Sequence, residues 1–159
     1  MTPAGQRCGD CRYASGSRER PSNGIVLCDI DGTLALRGDR APHDHDSSME
    51  DAVNWPVVRV CERLYKAGLG IVLISGRDEQ YRPVTEYWLG THKLFPYRLG
   101  LEMRKRGDNR PDEIVKRELY EQAIQSKYTV LAVFDDRNKV VRMWRDIGLL
   151  CLQVDEGDF

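Results

Sequence analysis

Ile25-Val26-Leu27-Cys28-Asp29-Ile30-Asp31-Gly32-Thr33 decides the fold of this chain. A short apolar run reads as a buried strand, and two carboxylates one residue apart stand at its end. Side chains at i and i+2 of a strand share a face, so both acids can converge on one small space as the chain leaves it. Such a pair suits phosphoryl chemistry, one carboxylate attacking phosphorus and the other protonating the leaving oxygen. Gly32 permits a tight turn, and Thr33 is expected to tie that turn through its hydroxyl. Alone, this would be an Asp-rich turn after a strand. Matching pieces further along change that reading.

From Gly24 onward, strand and helix patterns alternate. Strands are predicted over 25–29, 69–74, 97–103, 129–134 and 149–154. A helix over 53–67 carries Val57, Val60, Leu64 and Ala67 on one face and ends at Gly68. A second, over 79–91, is interrupted early by Pro83. A third, over 113–126, starts after Pro111 and buries Ile114, Val115, Leu119 and Ala123. A fourth spans 138–147. Residues 34–54 form a long polar connection and 104–110 a charged loop. The alternation implies an α/β fold, a doubly wound, mainly parallel sheet with helices on both faces. Ligands of such sheets bind beyond the carboxyl ends of the strands. Asp29 and Asp31 end the first strand, Ser75, Gly76 and Arg77 the second, and Asp135 and Asp136 the fourth. Lys116 lies early in the helix before that fourth strand. Each has an ordinary explanation alone, as a turn, a solvated lysine or a helix start, but their gathering at strand ends indicates one site.

The chemistry needs this mixture. A phosphate monoester repels an attacking carboxylate, and crowded carboxylates repel one another. A divalent cation with oxygen ligands, Mg²⁺ above all, relieves both. Lys116, Ser75 and an arginine can hold the remaining phosphoryl oxygens.

The remaining composition sets bounds. With 159 residues, the chain matches one ordinary domain. Residues 1–23, rich in Gly, Ser, Arg and Pro, read as a flexible N-terminal tail, leaving 24–159 as the domain. No run approaches the roughly 20 apolar residues of a membrane span, and the N-terminus lacks a signal core, so a cytoplasmic protein without membrane contact is expected. A net charge of −1 argues against a long nonspecific grip on duplex nucleic acid and suits a small anion or a strand end. Of five cysteines, Cys28, Cys61 and Cys151 read as core residues. Cys8 and Cys11 have no second pair to complete a zinc site and read as an exposed pair. His43-Asp44-His45-Asp46 reads as a polar loop. Arg104-Lys105-Arg106 and Arg110 either touch a nucleic-acid backbone or face solvent. Tyr81, Tyr87 and Trp88 can stack on bases, although helix-spaced aromatics more often pack the core. Trp55 and Trp144 read as packing residues.

The run Asp29-Ile-Asp-Gly-Thr, then Ile-Ser-Gly-Arg77, then Lys116, then Phe-Asp135-Asp136 resembles the four-motif signature of the haloacid-dehalogenase (HAD) superfamily. Three further stretches, Arg40-Ala-Pro-His-Asp44, Arg106-Gly-Asp-Asn-Arg-Pro-Asp112 and the terminal Gly157-Asp158-Phe159, are similar to the phosphatase half of the phage polynucleotide kinase/3′-phosphatases. That resemblance implies a HAD/Rossmann-like fold with a minimal cap and a Mg²⁺-dependent polynucleotide 3′-phosphatase working through an aspartyl-phosphate. It makes Asp29 the nucleophile, Asp31 the general acid and then base, and Ser75 and Lys116 the phosphoryl ligands. Mg²⁺ would be held by Asp29, the backbone carbonyl of Asp31, and Asp136 with help from Asp135. Arg40 and Arg77 are expected on substrate phosphate, Gly76 and Thr33 beside it, and Asp112 orienting Lys116 or an arginine. The implied partners are 3′-phosphorylated DNA or RNA ends and a separate kinase or ligase, with a homodimer allowed. No G-x-x-x-x-G-K-[ST] loop occurs, so phosphate removal without 5′ phosphorylation is expected. The alternatives are a nucleotide or small-molecule phosphomonoesterase on the same scaffold, a receiver-like phosphoacceptor module, which the D-x-D spacing disfavours, and a binding module without chemistry.

Overall fold

The computed structural model describes residues 23–38 and 46–157. The expectations for the tail, the Cys8 and Cys11 pair, Arg40, His43, Asp44, His45, the Asp46 side chain, Asp158 and Phe159 lie outside the described residues.

Strand β1 (Gly24–Cys28) is buried along its whole length, as a strand covered on both faces must be. It pairs in parallel with β4 (Gly70–Asp78) on one side and β6 (Thr129–Arg137) on the other. Outside these lie β5 (Gly100–Arg104) and β7 (Cys151–Gly157), giving the order β5-β4-β1-β6-β7. The chain therefore builds outward one way from β1, then returns and builds the other way. That reversal opens a crevice at the carboxyl ends of β1, β4 and β6, where the acidic motifs stand.

The alternation of β1 feeds two cores. Val26 and Cys28 pack with Leu73, Val58, Cys61, Trp88 and Phe95 on one face. Ile25 and Leu27 pack with Ile74, Ile124, Val140 and Trp144 on the other. Cys28, Cys61 and Cys151 are free and buried, as expected.

Several local expectations are corrected. Helix α1 (Trp55–Lys66) buries Val57, Val58 and Cys61, with Leu64 packed beside them. Val60 is 47% exposed and Ala67 faces solvent. Pro83 does not interrupt a helix. It sits in the first turn of α2 (Arg82–Thr91), where its missing N–H costs nothing. Helix α3 (Asp112–Leu119) runs into a π turn, Tyr120–Ile124. It buries Val115 and Lys116, whereas Ile114 is 43% exposed. Trp55 is 46% exposed, whereas Trp144, on α4 (Asn138–Asp146), is fully buried.

The connection over 34–54 is not wholly irregular. Strands β2 (Ala35–Leu36) and β3 (Ala52–Val53) form a small antiparallel sheet, and a 3₁₀ turn, Asp46–Glu50, precedes β3. Among the described residues, these short elements and α1 are all that lies between the first and second motifs, and no larger insertion stands there. No helix among the described residues is long and apolar enough to cross a membrane.

Candidate active site

Past β1, the amide of Asp29 still donates to the Phe134 carbonyl (3.0 Å), which fixes the first carboxylate beside β6. The chain then folds around the carbonyl of Ile30, which accepts from Thr33 (3.3 Å), Leu34 (2.9 Å) and Ala35 (2.8 Å). Gly32 makes this possible at φ +81°, and a Cβ there would fall on the Asp136 carboxylate. The turn is thus closed by backbone, not by Thr33. The Thr33 side chain is buried, and its Oγ1 has no hydrogen-bond partner among the described residues. It is not at the cavity wall.

Lys116 projects from α3 into the crevice and is buried. Its Nζ donates to Asp29 Oδ1 (2.6 Å) and Asp135 Oδ2 (2.9 Å), and lies 3.8 Å from Asp112 Oδ2. Asp135 also accepts from Trp144 Nε1 (3.2 Å) and the Arg137 amide (3.3 Å). Burial pushes the Asp29 carboxyl well above the ordinary carboxylate range. Lys116 opposes that rise, and Asp135 and Asp136 add to it. Burial, then Asp135, raises Asp136 to about 6. Burial alone would lower the Lys116 ammonium, but Asp135, Asp29 and Asp112 outweigh it and hold it well above its usual value.

Asp31 has other company. Arg77 donates through Nε to its Oδ2 (2.7 Å) and through Nη2 to its Oδ1 (2.8 Å). The same guanidinium reaches Ser48 (3.3 Å), Thr85 (3.1 Å) and Asp51 (3.5 Å). A guanidinium has five N–H groups, and these contacts use them all. Arg77, expected on substrate phosphate, lines the cavity, but its side chain is buried and its guanidinium is paired with Asp31. Asp31 was expected in the metal set through its backbone carbonyl. Its carboxylate is paired with Arg77 and is not one of the acidic cluster formed by Asp29, Asp135 and Asp136.

Ser75 is buried at the end of β4, where its Oγ accepts from the Arg77 amide (3.2 Å). Gly76 lines the cavity, and a Cβ on it would collide with the Asp112 carboxylate. Asp112 bridges the expected partners. Arg104 Nη2 donates to one oxygen (3.0 Å) and Arg137 Nη1 to the other (3.3 Å), with Lys116 one turn along. Arg104 also donates to the carbonyls of Gly76 (2.6 Å), Asp108 (3.0 Å) and Arg110 (2.6 Å). It therefore ties the end of β4 to the charged loop and to α3.

Sequence reasoning did not single out Asp51 or Arg137 as site residues, and it gave Arg104 only as a nucleic-acid contact or a solvent-facing residue, whereas its side chain is largely buried against Asp112. Arg104 and Arg137 stood in stretches already noted, beside a strand end and after the acid pair. Asp51 carried no local signal.

The resulting cavity is about 290 Å³, with Asp29, Asp31, Lys116 and Asp136 at its walls. One carboxylate oxygen from each of Asp29, Asp135 and Asp136 lies within 4.8 Å of the others. These are hard oxygen donors, and one ammonium cannot balance three carboxylates. Donor type, spacing and leftover negative charge all fit a divalent cation such as Mg²⁺.

An aspartate pair, a buried lysine and a cation-sized acidic cluster at the switch point of a parallel sheet form a set suited to phosphoryl chemistry. Residues 23–159 match the polynucleotide kinase PNKP phosphatase domain of the HAD class, and the chain belongs to that family; it is a phosphatase. The chain is similar to a protein of Autographa californica nuclear polyhedrosis virus assigned as a bifunctional polynucleotide kinase/RNA ligase. The two share 37% identity over 127 residues, 78% of this chain and 18% of the viral protein. Chains in two structures of the Pnkp1/Rnl/Hen1 complex, one described as an RNA repair complex, superpose with TM-scores of 0.82 and 0.83 at 40% identity. In both cases 86% of this chain is covered, against 44% and 47% of those chains. The chain thus spans about a fifth of the viral relative and less than half of the solved chains.

Proposed function

We propose that this chain is a Mg²⁺-dependent polynucleotide 3′-phosphatase. One observation carries the reading: Asp29 and Asp31, two residues apart, are held in separate environments. Asp29 stands beside Lys116 inside the acidic cluster, and Asp31 is gripped by Arg77 at the cavity wall. Two carboxylates so divided can take different tasks.

In the first step an oxygen of Asp29 bonds to phosphorus while the bond from phosphorus to the 3′ oxygen breaks. Asp31 gives its proton to that oxygen, so the end departs as a hydroxyl. In the second step Asp31 takes a proton from water, and the water oxygen bonds to phosphorus. The phosphoryl bond to Asp29 breaks, leaving free phosphate and the original enzyme. Lys116 and Ser75 hold phosphoryl oxygens where negative charge spreads in both steps. Mg²⁺, held by Asp29, Asp136 and the Asp31 backbone carbonyl with Asp135 assisting, would offset the charge of the incoming phosphate. Asp112 keeps Lys116 and Arg137 in place. The described residues do not include Arg40, which is assigned to substrate phosphate.

Specificity for the 3′ end of a polynucleotide is supported by family membership and by the short connection between the first two motifs, which among the described residues holds no large insertion to close the cavity. The viral relative and the RNA repair complex support a setting in which a kinase and a ligase act on the same broken strands. A panel of 3′-phosphorylated DNA and RNA oligonucleotides beside nucleoside 3′- and 5′-monophosphates tests the reading, with Mg²⁺ and then with excess chelator. Rapid phosphate release from the 3′ ends, lost in chelator and restored by Mg²⁺, is expected. Preference for the mononucleotides would make the protein a nucleotide phosphatase, and full turnover in chelator would remove the metal.

A further inference from the structure

The three aromatics near the second motif have separate fates. Trp88 is in the core, its Nε1 donating to the Asp51 carbonyl (2.9 Å). Tyr87 is on the exposed face of α2 and away from the cavity. Tyr81 is half-buried and lines the cavity, the single aromatic among its described lining residues.

Its backbone is firmly held. The 3₁₀ turn Glu79–Tyr81 is capped by Asp78, whose Oδ1 accepts from the Gln80 amide (2.8 Å). The other Asp78 oxygen accepts from the amide of Gly107 (2.7 Å), which ties this turn to the loop that carries Asn109. On the far side, Arg82 donates to the Leu101 carbonyl (3.0 Å). The turn and the loop thus form two linked banks of the cavity mouth, with Tyr81 and Gln80 on one and Asn109 on the other.

The cavity has more to hold than a phosphoryl group. Its inner end is closed by Asp29, Lys116 and Asp136, while its volume is near the lower limit of small-molecule pockets, about 300 Å³. Apart from Tyr81, the wall is almost entirely charged or polar. A tyrosine and two carboxamide side chains lining the same cavity match the chemistry of a nucleobase, with its π face and its hydrogen-bonding edge. Stacking on an aromatic ring tolerates any base, as an enzyme acting on arbitrary ends requires.

We infer that Tyr81 is a stacking platform for the 3′-terminal nucleobase, with the amides of Gln80 and Asn109 at its edge, so that the site recognises a terminal nucleoside as well as its phosphate. This rests on the reading of the chain as a polynucleotide 3′-phosphatase. Phosphate release is compared on two otherwise identical 3′-phosphorylated oligonucleotides, one with a normal terminal nucleoside and one with an abasic terminal sugar. The ratio of their kcat/KM values is expected to be about five- to hundredfold in the wild-type protein. It should fall to near unity in Tyr81→Leu and persist in Tyr81→Phe. In the Asp29→Asn background, 2-aminopurine at the terminal position should be quenched on binding, and Tyr81→Leu should abolish that quenching. A wild-type ratio near one, or a ratio and quenching unchanged in Tyr81→Leu, would overturn the platform. Equal release from both oligonucleotides would remove only the platform, whereas no release from either would also remove the 3′-phosphatase reading.

Discussion

Asp29 and Asp31 are the same residue, on the same turn, at the end of the same strand, yet the molecule treats them oppositely. Asp29 is buried, faces a lysine and shares its space with Asp135 and Asp136. Asp31 is partly exposed and, among the described residues, is fixed by Arg77, itself anchored to the 3₁₀ turn before β3 and to α2. A nucleophile must be ionised when it attacks; burial and the neighbouring acids favour the protonated form of Asp29, and Lys116 opposes them. An acid must be able to carry a proton and reach the leaving oxygen. The difference lies in the neighbours that the fold assigns to each.

The strongest way to break that comparison is to neutralise each acid in turn. Asp29→Asn should lower phosphate release by about four orders of magnitude or more on every substrate, with the fold intact. Asp31→Asn should depend on the leaving group. With a 3′-phosphorylated oligonucleotide it should lose about a hundred- to ten-thousandfold, the usual share of acid–base catalysis. With p-nitrophenyl phosphate, whose leaving group needs no proton, it should give a burst of one p-nitrophenol per enzyme and then stall, because water still lacks its base. A burst in Asp29→Asn, or none in Asp31→Asn, would reverse or dissolve the assignment.

A smaller effect is expected where the grip on Asp31 is loosened. Arg77→Lys keeps a cation but loses the planar fork, and three ammonium protons cannot cover Asp31, Ser48, Thr85 and Asp51 together. We expect kcat on the oligonucleotide to fall about ten- to a hundredfold with little change in KM, and the p-nitrophenyl phosphate burst to be far less affected. A loss confined to KM would return Arg77 to substrate binding.

Most of the acid set was legible because its signals are local. A strand pattern followed by Asp-x-Asp, Ser-Gly-Arg or Asp-Asp places those residues at one sheet edge, and Lys116 lies one turn after Asp112. What Arg77 does was not legible. It depends on Ser48 and Asp51, 29 and 26 residues earlier in the chain, meeting its guanidinium, and no spacing encodes that meeting. The rotation of α1 was hidden for another reason. Val57, Val58, Val60 and Cys61 all qualify for a buried stripe, and a 3.6-residue period cannot choose among adjacent apolar positions. The choice follows from where the helix begins, at Trp55 instead of Val53. Thr33 shows the limit of reading hydroxyls from turns, since the Ile30 carbonyl already meets the available amides.

The mildest test concerns what stands behind Asp135. Trp144 lies in the core on the α3 and α4 side, and its Nε1–H donates to Asp135 Oδ2. Trp144→Phe keeps an aromatic ring but removes that donor and part of the ring's volume. A hydrogen bond to a charged group is worth about 1.5–3 kcal/mol, so urea denaturation should show a loss of about that size. Asp135 would still be held by Lys116 and by the Arg137 amide, and kcat should therefore fall by less than about tenfold. A stability loss with near-normal turnover would show that Lys116 and the Arg137 amide together suffice to orient this carboxylate. A collapse in turnover at full stability would instead place the indole among the groups that set the acid cluster, and would extend the contrast between Asp29 and Asp31 to the residues behind them.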